Sequence, residues 1–163
     1  GGKIWMESEE GVGSQFYFTI PFDSNNKEIP EKNTQDSNKR LSVKKGLKIL
    51  IAEDDEYAIT LLNVVLKEYA REMLVAKTGI EALKMCRANS DLDIILMDIK
   101  IPGIDGYEAT RQIREFNEEV FIVAQTAYAQ AGDRQKAIEA GCDDYIAKPI
   151  NKKQLIEIIS NRF

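Results

Sequence analysis

A doubly wound α/β fold around a parallel sheet is what the sequence predicts for residues 47–163, and three observations predict it. Five short apolar runs, at 48–52, 73–76, 93–97, 120–125 and 144–147, are each followed by a stretch of helical character. Strands alternating with helices pair in parallel, because the chain must cross a face of the sheet before it returns. Helix-start signals stand where this alternation needs them. Thr78 with Glu81, Asp105 with Glu108, and Asn151 with Gln154 each set a capping side chain three residues before Glu or Gln. The runs Ile94, Ile95, Leu96, Met97 and Phe121, Ile122, Val123, Ala124 are almost uniformly apolar, which suits central strands covered on both faces.

From the N-terminus, residues 1–22 read as two strands around a turn at Glu10, Gly11, Val12 and Gly13. Ile4 and Met6, then Phe16, Phe18 and Ile20, alternate with more polar neighbours, the period expected of half-buried strands. A lone hairpin is marginal in water, so this segment is expected to end a larger domain. Residues 23–46 are rich in Asn, Lys, Glu, Ser and Asp, with too little apolar surface to order themselves, and read as a linker. Within 47–163, the first run ends in Glu53, Asp54 and Asp55, the third at Asp98, the fourth at Thr126, and the fifth at Lys148 with Pro149 behind it. Ala109, Ile113 and Phe116 form the expected core face of one helix, and Leu155, Ile156 and Ile159 that of the last.

Composition excludes several functions. With 22 basic and 27 acidic residues, the formal net charge of -5 gives no support to a nucleic-acid surface. Histidine is absent, which rules out an imidazole base, a His-ligated zinc and a phosphohistidine on this chain. Cys86 and Cys142 sit in apolar segments at no metal spacing, as buried thiols of a reducing compartment would. No apolar run approaches the ~20 residues that span a bilayer, and no signal peptide opens the chain. A cytoplasmic setting without membrane contact is expected for this fragment.

Parallel strands bring their carboxyl ends to one edge of the sheet, where ligands of open α/β folds bind. Glu53, Asp54, Asp98, Thr126 and Lys148 should therefore converge. Each alone has a plain structural reading, the acids as helix caps, the threonine as a turn residue, the lysine as a solvated charge. Together they form a cluster of carboxylates that repel one another unless a cation intervenes, and an all-oxygen donor set suits Mg²⁺.

Glu53 and Asp54, Met97 and Asp98 with Pro102, Asp105 and Gly106, Thr126 and Ala127, and Lys148 and Pro149 resemble the receiver domains of two-component response regulators. The resemblance covers 47–163 and implies a flavodoxin-like sheet of strand order 2-1-3-4-5. It implies that Asp98 accepts a phosphoryl group, while Glu53, Asp54, Asp98 and the carbonyl of Lys100 hold Mg²⁺. It implies further that Lys148 and the Thr126 hydroxyl contact the phosphoryl group, that small Ala127 leaves the site open to the donor, and that the Lys148–Pro149 bond is cis. Tyr145 matches the aromatic switch position, and Lys100 and Tyr128 match positions that tune acyl-phosphate lifetime. Glu53 departs from the family pattern, in which Asp is usual, and its extra methylene bears on how the metal is held.

Gly1 to Trp5, Ser8, Glu9, Gly11 to Phe16 and Phe18 to Pro21 resemble the final hairpin of a histidine-kinase ATP-binding domain. The order of segments then implies a hybrid sensor histidine kinase: 1–22 the kinase end, 23–46 the linker, 47–163 the receiver. No ATP-dependent kinase activity is expected of this fragment, and its implied partners are a kinase phosphohistidine domain or a histidine phosphotransfer protein. A haloacid-dehalogenase-like phosphatase would need a second Asp where Lys100 stands. A flavodoxin-like cofactor binder would need a phosphate cradle where Glu53, Asp54 and Asp55 repel one. A docking or autoinhibitory receiver that is never phosphorylated is the remaining alternative, though the full acceptor set is present.

Overall fold

A computed structural model of the chain describes residues 2–9, 11, 13–19, 45–127 and 131–163, the side chains of 131–133 excepted. The chain divides into two units between residues 40 and 41. The first holds an antiparallel hairpin of β1 (Ile4–Glu9) and β2 (Gly13–Phe18), paired from Ile4 with Phe18 to Glu9 with Gly13. Gly11, at the turn, has φ +81°, a conformation that costs glycine nothing. Ile4, Met6, Phe16 and Phe18 share one face, and Trp5 stacks on Tyr17 on the other with ring centroids 5.4 Å apart. The expected half-burial is not found: all four of those apolar side chains are exposed, because a two-stranded ribbon brings no second layer to cover its face. Ile20, Glu10, Val12 and the expected linker through residue 44 lie outside the described residues.

The second unit alternates strand and helix: β3 (Leu47–Ala52), α1 (Glu56–Leu66), β4 (Ala70–Ala76), α2 (Gly79–Ala88), β5 (Ile94–Asp98), α3 (Gly106–Arg114), β6 (Phe121–Thr126), α4 (Ala131–Glu139), β7 (Asp144–Ala147) and α5 (Lys152–Arg162). All neighbours pair in parallel in the order β4-β3-β5-β6-β7, which is 2-1-3-4-5 counted from β3. The order reverses between β3 and β5, and the crevice at such a switch point is where this fold binds ligands.

The pleat sorts the core into two layers, because alternate side chains of a strand point to opposite faces. Ile49, Ile51, Ile94, Leu96, Val123 and Ile146 meet α1 and α5 through Ile59, Leu62, Leu155 and Ile159. Leu50, Ala52, Ile95, Met97, Ile122 and Ala124 meet α2 and α3 through Ala82, Cys86, Ala109 and Ile113. Both cysteines are buried and unpaired, as expected.

Three expected caps are in place, with Thr78, Asp105 and Asn151 accepting hydrogen bonds from the N–H groups of Glu81, Glu108 and Gln154 at 3.1, 2.8 and 3.2 Å. Strand limits shift. β4 starts at Ala70 rather than at 73, because exposed Arg71 and Glu72 interrupt the apolar run while this edge strand continues through a shift of register that passes over Arg71. Asp98 and Thr126 are the last residues of their strands, not the first of the loops. Phe116 falls past the end of α3, is 40% exposed, and lies under the Arg87 guanidinium at 4.7 Å instead of entering the core.

Candidate functional site

The acids after β3 have three different environments. Glu53 is 1% exposed and its Oε1 accepts from the Asp55 N–H at 3.3 Å, while Asp54 is open to solvent. Asp55 is taken by the fold: its side chain accepts from the Ala58 N–H at 2.8 Å and caps α1. Asp98, last in β5, is 6% exposed and points to the same side of the sheet as Ile94 and Leu96. Its Oδ1 accepts from the Lys100 N–H at 3.0 Å.

Lys148 closes the site from β7. Its Nζ donates to Asp98 Oδ2 at 2.8 Å and to Glu53 Oε2 at 2.5 Å. Glu53, Asp54 and Asp98 each offer a carboxylate oxygen, all within 4.8 Å of one another. Burial pushes the Glu53 carboxyl above its usual range, the Lys148 hydrogen bond opposes this, and the negative charge of Asp98 adds to it. Burial alone would lower the Lys148 ammonium, but its hydrogen bonds to Asp98 and Glu53 more than reverse the effect, so it stays charged. Three carboxylates around one ammonium remain a negative site, and an all-oxygen set at this spacing fits Mg²⁺, a hard cation held by one or two carboxylates.

Gly106 explains its place beside Asp105. A Cβ there would lie 2.4 Å from the Asp98 carbonyl oxygen, so only glycine lets the start of α3 lie against the end of β5. The Gly106 N–H donates to Ile99 O at 3.0 Å.

The structure thus brings together Glu53, Asp54, Asp98 and Lys148. Thr126, buried at the end of β6, borders them, and its carbonyl accepts from the Lys148 N–H at 2.7 Å. The Lys148–Pro149 bond is cis, as expected. Tyr145 is half-buried on the α2/α3 side of the sheet, with the Arg134 guanidinium 5.8 Å over its ring. The Lys100 side chain and Ala127 are exposed, and Tyr128 lies outside the described residues. The sequence reading missed Gln125, which pairs in register with Asp98 and is fully buried. Only the register of β6 against β5 puts its side chain on the Asp98 side.

A model of the response regulator receiver domain matches residues 49–160. The chain belongs to the response regulator receiver family. This receiver is 40% identical over 123 residues to the hybrid signal transduction histidine kinase I of Dictyostelium discoideum, a match covering 71% of the chain and 7% of that protein. The chain therefore spans less than a tenth of that relative's length. It is 36% identical over 113 residues to the chemotaxis protein CheY of Halobacterium salinarum, covering 69% of the chain and 93% of CheY. Among solved structures, the receiver domain of the sensor histidine kinase PA1611 of Pseudomonas aeruginosa, with a magnesium ion in its active-site cleft, is similar at 36% identity and TM-score 0.64. That likeness covers 71% of this chain and 96% of that one. The co-crystal structure of Saccharomyces cerevisiae Ypd1, a histidine phosphotransfer protein, with the Ssk1 receiver is similar at 32% identity and TM-score 0.68, covering 72% and 89%. No helix among the described residues is long and apolar enough to cross a membrane.

Proposed function

We propose that this receiver takes a phosphoryl group from a phosphohistidine onto Asp98 and passes the signal on in a phosphorelay. The observation that carries the reading is the state of Asp98, a nearly buried carboxylate at a strand end with one oxygen on Lys148 Nζ and the other on the Lys100 N–H. A carboxylate oxygen attacks phosphorus, the P–O bond forms as the P–N bond breaks, and the departing imidazole takes up a proton from water. The donor histidine lies outside these 163 residues, which contain none. Such a transfer needs alignment and neutralised oxygens more than a strong base. Lys148 supplies a positive charge beside the acceptor, and the Thr126 hydroxyl donates to a phosphoryl oxygen. Glu53, Asp54, Asp98 and the Lys100 carbonyl would hold Mg²⁺, which when bound neutralises charge on the transferred group. Thr126 and Tyr145, on one side of adjacent strands, form the switch: movement of the hydroxyl toward the phosphoryl group admits the ring.

The donor surface is the open side of α1. Tyr57, Leu61 and Val64, spaced by four and three residues, are 88%, 46% and 70% exposed, and the helix begins directly after the acids. An apolar stripe beside the acceptor suits the helical surface of a phosphohistidine-bearing domain, and the likeness to a receiver solved with Ypd1 supports this. The likeness to a hybrid kinase and the hairpin motif support the division into a kinase ATP-binding end at 1–22, a linker at 23–46 and a receiver at 47–163.

Acetyl phosphate with Mg²⁺ should add one phosphoryl group to the intact mass of the chain, and Asp98→Asn should abolish the gain. A labelled variant at wild-type yield would move the acceptor elsewhere. Replacing Tyr57 and Val64 together by Ala should slow transfer from a phosphohistidine protein about tenfold and leave labelling by acetyl phosphate unchanged. Equal slowing of both would make the stripe a structural feature rather than a docking one.

A further inference from the structure

Gln125 is 0% exposed, and its Oε1 and Nε2 are the buried side-chain polar atoms without a hydrogen-bond partner among the described residues. A buried amide with neither end paired is expensive, and in a native protein such a group calls for a reason, a catalytic role among them. Nothing in the strand calls for it, since Phe121, Ile122, Val123 and Ala124 are apolar and a leucine or methionine would fill the same space.

Its position says which state that is. Gln125 is in register with Asp98 on β5 and with Ile146 on β7, and alternation along β6 puts its side chain on the side of Val123, which is also the side of Leu96 and Asp98. Lys148 starts two residues after Ile146, yet its ammonium reaches Asp98 and Glu53. Neighbouring strands lie about 4.8 Å apart, so the lysine stem must cross the end of β6 on the side that Gln125 occupies. Gln125 is therefore the β6 residue on the side that the stem crosses on its way to Asp98.

We infer that Gln125 is a positioning residue for Lys148 and Asp98 in the phosphorylated receiver, an inference that rests on the phosphoacceptor reading of Asp98. In the resting site Lys148 is held by two carboxylates and the amide has no role. Phosphorylation converts the Asp98 carboxylate to a neutral acyl group and moves the negative charge out to the phosphoryl oxygens. Lys148 follows that charge, and the Asp98 acyl oxygen loses its ammonium partner. Gln125 Nε2 then donates to that acyl oxygen, and Oε1 accepts from the shifted ammonium. The amide unpaired at rest is thus paired after transfer, which favours the phosphorylated form and holds the lysine over it.

The test compares wild type with Gln125→Met, which keeps length and removes both polar atoms. Intact mass follows labelling by acetyl phosphate and the half-life of the product, and melting follows the resting and the beryllofluoride-bound, Mg²⁺-loaded forms. The variant should melt higher at rest, gain less from beryllofluoride, and lose its phosphoryl group about three to ten times faster. In the wild type, beryllofluoride should also protect the Gln125 side-chain amide protons from exchange, a reading that needs no variant. Labelling with an unchanged half-life, an unchanged beryllofluoride increment and no gain in amide protection would overturn this inference and leave the acceptor reading intact. No labelling of the wild type would overturn both.

Discussion

Glu53, Asp54 and Asp55 are chemically close to interchangeable in sequence and have three separate fates in the folded chain. Glu53 is enclosed and bonded to Lys148, Asp54 faces solvent at the site, and Asp55 is consumed as the cap of α1. Backbone direction after β3 decides this, since the residue whose oxygen can reach the first helical N–H groups becomes the cap. Among the described residues Asp54 is the one carboxylate of Glu53, Asp54 and Asp98 without a basic partner, so it should govern the response to metal. Mg²⁺ should raise the melting temperature of the wild type, by an amount equivalent to about 2.7 kcal/mol at a hundredfold excess over Kd. In Asp54→Ala the increment should shrink, while the variant in EDTA should be at least as stable as the wild type because a repulsion has gone. Equal increments in thermal melts would remove Asp54 from the metal set. Cys142 shows the opposite case of a reactive group put out of use: burial pushes its thiol up to about 11, although the Thr110 hydrogen bond opposes the shift.

Among the elements, the contact between α3 and β5 couples the fold to the chemistry most directly. Asp105 caps the helix, and Gly106 brings its first turn against the carbonyl of Asp98. Gly106→Ala would place a methyl group 2.4 Å from that oxygen, and backbone rather than a flexible side chain must yield. The expected cost is about 1–3 kcal/mol in urea unfolding, with slower labelling at Asp98 because the displaced atoms belong to it. Wild-type stability and labelling together would mean that α3 can withdraw freely. At the other end of the sheet, Lys48 bonds Glu72 and Asp91, each at 3.1 Å, and Arg71 bonds Asp91 at 2.9 Å. There Glu72 and Asp91 each have a basic partner. At the carboxyl ends the acids outnumber the lysine, which distinguishes a site from a strut.

For the molecule as a whole, two units of unequal independence follow from how much apolar surface each encloses. The second has layers on both faces of its sheet, whereas the hairpin leaves Ile4, Met6, Phe16 and Phe18 uncovered within its own unit. Removing residues 1–46 should therefore leave a cooperatively folded receiver with unchanged labelling by acetyl phosphate, checked by circular dichroism melts and intact mass. Loss of the melting transition would mean that the receiver borrows stability from the N-terminal segment and that the boundary at 47 is misplaced.

By itself the sequence determined the alternation of elements, three of the helix caps and the residues that meet at the sheet edge. Those follow from local period, capping chemistry and the rule that parallel strands point one way. It could not separate Asp55 from Asp54, nor show that Phe116 leaves its helix face, because both depend on where the backbone turns after an element ends. The extent of β4 was equally hidden, since ladder hydrogen bonds do not depend on the polarity of Arg71 and Glu72. Only the tertiary structure decided that Lys148 crosses two strands to bond Asp98 and Glu53, that α3 needs Gly106 to approach Asp98, and that Gln125 is enclosed without a partner. These depend on how separate elements pack together, and local pattern carries no information about the distance at which such groups meet.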